Sequence, residues 1–137
     1  MEVSSHAIAQ NRIEGIEFAL KIFTNLSQDH LDFHKSFDEY ARVKSSFLSD
    51  SSDKIINCDD KNISYNTLNA LTYSLKNGNI IASNFELKDG IIATIQSKSE
   101  IANLSLNLHG KFNLYNALGV IAASKKLLNL DLQSICD

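Results

Sequence analysis

Apolar and polar residues change period repeatedly along this chain, and each change marks an element. From Ser36 to Leu48, Phe37, Tyr40, Ala41, Lys44, Phe47 and Leu48 recur at the spacing of one helical face, with Asp38, Glu39, Arg42 and Ser45 opposite, which predicts an amphipathic helix. Before it, Glu17 to Thr24 carries the β-branched and aromatic residues of a buried strand. Met1-Glu2-Val3 reads as the end of another strand, Ser4-Ser5-His6 as the turn leaving it, and Ala7 to Arg12 as a short helix or irregular crossing. Ser27 is placed to cap a helical turn bearing Asp29 and His30. After the turn cluster Asp50-Ser51-Ser52-Asp53, Lys54 to Cys58 predicts a short buried strand, and Ser64 to Leu71 a helix. The period then shortens. Ile80 to Leu87, Ile91 to Gln96 and Ile101 to Leu108 are strand-like, and Asp89-Gly90 between the first two signals a hairpin. Beyond Gly110 a long amphipathic helix runs from about Asn113 to Leu128, and Leu130 to Cys136 begins another.

Alternating strands and helices followed by a small antiparallel unit give an α/β fold. The sheet is expected to be partial and mainly parallel, flanked by helices, with an antiparallel element from about Ile80 to Leu108. Neither an internal repeat nor a linker interrupts the pattern. The 137 residues suit one domain, and a net charge of -3 without a basic patch gives no sign of a nucleic-acid partner, so none is expected. No apolar run approaches the roughly 20 residues that span a bilayer, so membrane insertion is not expected, and Met1 to His6 has no signal-peptide pattern. Cys58 and Cys136 belong to no paired motif and suit free thiols in a cytoplasmic setting. Proline is absent, where about 5% is usual, a bias that carries no function.

Candidate chemistry concentrates behind the Glu17 to Thr24 strand. Phe23-Thr24-Asn25-Leu26-Ser27-Gln28-Asp29-His30-Leu31-Asp32-Phe33-His34 follows it, where open α/β sheets place their ligands. Glu2, Asp29, His30, Asp32, His34 and the Asp59-Asp60 pair would converge if their strands lie side by side, and hard oxygens with an imidazole suit magnesium near phosphate. His30 and His34 stand at i and i+4 and are half of a possible zinc site, but neither cysteine is placed to complete it. Alternatively the aspartates cap a helix and the histidines are polar surface. Lys44 is a cation on an apolar stripe: its stem packs there while the ammonium reaches water, or desolvation makes it a neutral, nucleophilic amine. Asn113 and Asn116, one turn apart at a helix start, offer the donor and acceptor that an adenine edge requires, or else cap and flank that helix. No G-x-x-x-x-G-K-[ST] phosphate loop occurs; Gly110-Lys111 is followed by Phe112.

Met1-Glu2-Val3-Ser4-Ser5-His6-Ala7 with Gln10 and Arg12, the Phe23 to His34 segment, Lys44, Ile56-Asn57-Cys58-Asp59-Asp60 and Gly110-Lys111-Phe112-Asn113-Leu114-Tyr115-Asn116-Ala117 occur in the order of a known family. Together they resemble the central, ATP-binding domain of the Mur ligases. Within that family the likeness is to the MurE type, which joins the third residue to UDP-N-acetylmuramoyl-L-alanyl-D-glutamate in peptidoglycan synthesis. The resemblance implies ATP and two magnesium ions as cofactors, with an acyl phosphate formed on the way to the amide. It implies that Glu2 holds the magnesium between the ATP phosphates and that His30 holds a second. Lys44 matches the lysine whose CO2-derived carbamate helps bind that second ion. Ser4, Gln10 and Arg12 match contacts to the UDP-muramoyl-dipeptide, and Asn113 and Asn116 match the segment beside adenine. Asp59 and Asp60 match a recurrent pair to which the resemblance assigns no role.

Family members also carry an N-terminal uridine-nucleotide domain, a phosphate loop and a C-terminal domain that selects the incoming amino acid. Residues 1-137 are therefore expected to be part of the central domain, inactive alone and prone to self-associate, with lysine and meso-diaminopimelate both open as the added residue. A folylpolyglutamate-synthase-like ligase and a non-catalytic α/β binding module are the competing readings. Ser4-Ser5-His6 with Gln10 and Arg12 argues against the first of these.

Overall fold

The computed structural model describes residues 1-26 and 34-137. The chain divides into two units: Met1–Lys21, Asn25–Lys54 and Asp60–Ala70 form the first, and Ile22–Thr24, Ile55–Asp59 and Leu71–Asp137 the second. The predicted Ser27 cap and its helical turn lie outside the described residues.

In the first unit, α1 (Ser5–Ala9) starts at Ser4, whose side chain accepts a hydrogen bond from Ala7 N. Helix α2 (Phe37–Ser46) starts at Ser36, which accepts from Glu39 N, and Asp38 and Glu39 favour the positive end of the helix. Its Tyr40 and Ala41 are buried, as the helical spacing requires. Phe18, expected within a strand, instead meets Phe47 edge to face at 5.2 Å. The strand expected over Glu17 to Thr24 is reduced to β1 (Lys21–Phe23). Met1–Val3 also forms no strand; Val3 O instead accepts from Lys44.

The helix expected over Ser64 to Leu71 does not form. Ser64 N donates to Ser45 Oγ, Asn66 N to Leu48 O and Leu68 N to the Asn66 side chain. Polar side chains and distant carbonyls thus take the donors a helix would need, as Ser, Asn and Thr favour. The segment runs irregularly into β3 (Ala70–Ser74), a strand that the pattern did not reveal.

The remaining strands are β2 (Lys54–Asn57), β4 (Ile80–Glu86), β5 (Ile91–Ser97) and β6 (Glu100–Leu106), in one mixed sheet ordered β1-β2-β3-β4-β5-β6. From Ile22, Ile55 and Leu71 onward it belongs to the second unit. Lys54 N bonds Asn69 O and Cys58 N bonds Tyr73 O, start to start and end to end, so β2 and β3 run parallel. β3 and β4 are parallel at Tyr73↔Ile80 and Ser74↔Ile81, whereas β4-β5 and β5-β6 are antiparallel. The mixed α/β architecture is the one expected. At the β4-β5 connection, Gly90 has φ +117 and a Cβ there would lie 2.7 Å from Leu106 O, so the position demands glycine.

Helix α3 (Lys111–Leu128) buries Leu114, Leu118 and Ile121, each contributing about 1.5–3 kcal/mol. Gly119 faces the Tyr73 ring, where a Cβ would lie 3.4 Å from Tyr73 Oη, about van der Waals distance. Asn129, left-handed at φ +52, ends the helix, and α4 (Leu132–Cys136) follows the Asp131 cap. Among the described residues no helix is long and apolar enough to cross a membrane.

Candidate functional site

Lys44 lies in the last turn of α2, half-buried, and its Nζ donates to Val3 O at 2.9 Å. Desolvation lowers its pKa below that of an ordinary lysine, and the Glu2 carboxylate partly offsets this. Glu2 and Lys44, singled out separately in the sequence, are therefore electrostatic neighbours in the first unit. On the next stretch of the same unit, Ser4 caps α1, Gln10 is its C-cap, and the Gln10 and Arg12 side chains are exposed.

His34 is 3% exposed and Ser5 fully buried, with His34 Nε2 2.7 Å from Ser5 Oγ. The imidazole also lies 5.4 Å from the Tyr40 ring and 6.0 Å from that of His6. This places His34 in packing between α1 and α2 rather than on polar surface. His30, Asp29 and Asp32 lie outside the described residues. Among the described residues, no three His, Cys, Asp or Glu side chains form a metal-binding group, and Cys58 and Cys136 are not joined in a disulfide. In chemical terms, Glu2 and a carbamate on Lys44 would still offer the hard oxygens that magnesium prefers. Asp60 accepts from Leu26 N at 2.7 Å and from Asn62, fixing the chain just before the His30 segment.

The second unit holds a separate polar cluster. Asp59 accepts from Ser74 Oγ at 2.7 Å, Leu75 N at 2.7 Å and Tyr115 Oη at 2.9 Å. Partial burial raises its pKa, but these bonds and the charge of Lys76 outweigh that and hold the carboxyl below its ordinary value. Tyr115 is pushed up to about 12, by burial first and then by Asp59. Asn113 and Asn116 flank Tyr115 on α3; Asn113 Nδ2 donates to His109 O at 2.8 Å, and Asn116 is exposed. The α3 cap is Gly110, so Asn113 does not cap the helix.

The Mur ligase middle domain model matches residues 1–124. This chain belongs to that family. The Mur ligase domain is 47% identical, over 100% of its length, to the UDP-N-acetylmuramoyl-L-alanyl-D-glutamate--2,6-diaminopimelate ligase of Wolinella succinogenes. It is 41% identical over 98% of its length to the ligase of the same name from Helicobacter pylori. It spans 32% of each relative's length, about a third. A solved structure of a ligase so named superposes with TM-score 0.84 at 26% identity, covering 99% of this domain and 30% of that chain.

Within the Mur ligase domain, the structure brings Glu2 to Lys44 and leaves Asp59 with α3. Sequence reasoning missed Ser5 as the partner of His34 and Tyr115 as the partner of Asp59. Tyr115 carried a usable signal: a phenol between two asparagines at a helix start. Ser5 carried none, since its partner is 29 positions away.

Proposed function

We propose that the whole protein bearing this domain is an ATP-dependent ligase that joins the third amino acid to UDP-N-acetylmuramoyl-L-alanyl-D-glutamate in peptidoglycan synthesis. The end-to-end match to ligases of that name carries this reading. Their names supply 2,6-diaminopimelate as the added residue, and two cysteines outside any paired motif suit work in the cytoplasm. ATP phosphorylates the terminal carboxylate of the UDP-linked substrate, and the incoming amine displaces phosphate to form the amide. Ser4, Gln10 and Arg12 bind that substrate, and Asn113 and Asn116 lie beside the adenine.

Lys44 acts as its carbamate. Its neutral amine adds to carbon dioxide: an N–C bond forms as one C=O π bond opens onto oxygen, and the nitrogen then gives up one of its own protons to solvent. Burial favours this step because it makes the charged amine costly. Glu2, His30 and the Lys44 carbamate would hold magnesium, which supplies charge neutralisation for phosphoryl transfer. The test is an assay of the whole ligase with ATP, magnesium, the UDP-linked dipeptide and either diaminopimelate or lysine, reading ADP and tripeptide product. Parallel reactions with a folate and glutamate address the other ligase class. ADP and product with diaminopimelate are expected; no product from the muramoyl substrate sinks the proposal.

A further inference from the structure

The Asp59 cluster lies outside the substrate, metal and nucleotide contacts described above, yet it ties together three pieces of the second unit. One carboxylate at the end of β2 bonds the end of β3 through Ser74 Oγ, the chain after it through Leu75 N, and the start of α3 through Tyr115 Oη. The bond to Tyr115 reaches across 56 positions of sequence. Ser74 Oγ in turn accepts from Lys76 N and Asn77 N, so the connection between β3 and β4 is held from both sides. Tyr115 lies between Asn113 and Asn116 on the first turns of α3. Gly110, the cap residue, provides no side-chain bond to hold that helix start.

We infer that Asp59, acting through Tyr115, is a positioning residue for nucleotide binding: it fixes the rotation and depth of the first turns of α3 and so aims Asn113 and Asn116 at the base. The inference rests on the proposed adenine role of those asparagines. Helix residues one turn apart point in nearly the same direction, so a small rotation of α3 would displace both amides together. A phenol donating to a carboxylate makes a charge-assisted, directional bond, here 2.9 Å long, which suits it to set such a rotation.

The experiment compares Tyr115→Phe, Asp59→Asn and the double variant in the whole ligase. Tyr115→Phe removes one oxygen and keeps the ring, so it tests the tether even if Asp59→Asn folds poorly. The expected result is a rise of about tenfold in KM for ATP, the size one charge-assisted hydrogen bond supports. In Tyr115→Phe, KM for the UDP-linked substrate and the melting temperature should stay near wild-type. The double variant should be no worse than Asp59→Asn, because both changes cut one connection. Amide hydrogen exchange should show lost protection over residues 115–118 with β5 unchanged. In Tyr115→Phe, an unmoved KM for ATP, or a parallel rise in every KM together with a fall in melting temperature, overturns the inference. If the wild-type ligase forms no product, the proposed function fails; unchanged exchange over 115–118 in Tyr115→Phe then overturns the tether itself, and lost protection upholds it.

Discussion

Lys44 and Lys54 are both lysines drawn into the first unit, and their surroundings differ in what the ammonium can reach. Lys54 is fully buried at the start of β2, and its Nζ donates to Asp50 O at 2.9 Å, Ser52 O at 2.6 Å and Leu68 O at 3.2 Å. An ammonium has three protons, and three carbonyls take them. Lys44 is half-buried, its Nζ donates to Val3 O, and desolvation lowers its pKa. Burial alone therefore does not make a lysine reactive. A ring of carbonyls turns the buried Lys54 into a structural clasp on the Asp50–Asp53 turn, whereas desolvation of Lys44 favours its neutral amine.

The largest effect that bears on this contrast is on turnover. In the whole ligase, Lys44→Arg should lower kcat by about 10²–10³-fold, on the scale of losing a group that stabilises developing charge, because a guanidinium does not form the same carbamate. Lys44→Ala should be as damaging and should be partly restored by short carboxylic acids, which supply the missing anionic oxygens. Near-normal turnover in Lys44→Arg would show a snorkelling lysine instead.

On stability the order should reverse. Lys54→Met strands three carbonyls and should destabilise the fold by about 3 kcal/mol or more in urea unfolding, given about 1–3 kcal/mol for each unsatisfied buried group. Lys44→Met should change stability by less than about 1 kcal/mol, since it removes one hydrogen bond and also a desolvated charge. Equal losses from the two substitutions would erase the distinction.

Labelling sharpens it further. With ¹³C-labelled carbon dioxide, the whole ligase should show a carbamate resonance that Lys44→Arg abolishes and Lys54→Arg retains. Because its pKa is lowered, Lys44 is neutral at a lower pH than an ordinary lysine; as pH falls below that value the amine protonates and the signal should fade. A resonance that survives Lys44→Arg would assign the carbamate elsewhere.

The smallest effect belongs to a third lysine, intermediate between the two. Lys21 Nζ donates to Phe47 O at 2.8 Å and pairs with Asp50 at 2.6 Å. Partial burial raises the Asp50 carboxyl, but the hydrogen bonds from Lys21 and Ser52 and the charge of Lys21 outweigh it, to about 2 from 3.8. The folded value is the lower one, so the contribution is present above about 4 and is lost as pH falls through about 2. With the Asp50 side chain 54% exposed, solvent screening limits it to under about 1 kcal/mol. Acid titration of Asp50→Asn should accordingly lack that small step, and at neutral pH the variant should be less stable by under about 1 kcal/mol; a large loss at neutral pH would contradict this.

What the sequence disclosed depended on how local each cause was. The β4-β5 hairpin, α2 and α3 were legible because turn chemistry and helical spacing are written within a few residues. The segment 64–69 was not, because its amide donors are claimed by Ser45 and Leu48 from another part of the chain. Lys44 stood out as a cation on an apolar stripe, but Lys54 did not, since an apolar run says nothing of the carbonyls that will surround its first residue. Asp59 was visible as half of an acidic pair, yet its partners Ser74 and Tyr115 lie 15 and 56 positions away, beyond any motif.

The cap of α1 carries one more consequence. Ala7 N draws on a lone pair of the Ser4 hydroxyl, and that bond leaves the hydroxyl's proton to be given elsewhere. A ligand oxygen that accepted it would polarise the O–H group and make the same oxygen a better acceptor for the helix, because hydrogen bonds in series strengthen one another. Occupancy and helix order would then be thermodynamically linked through a single atom: substrate would tighten the first turn of α1, and anything that loosened that turn would weaken substrate in equal measure.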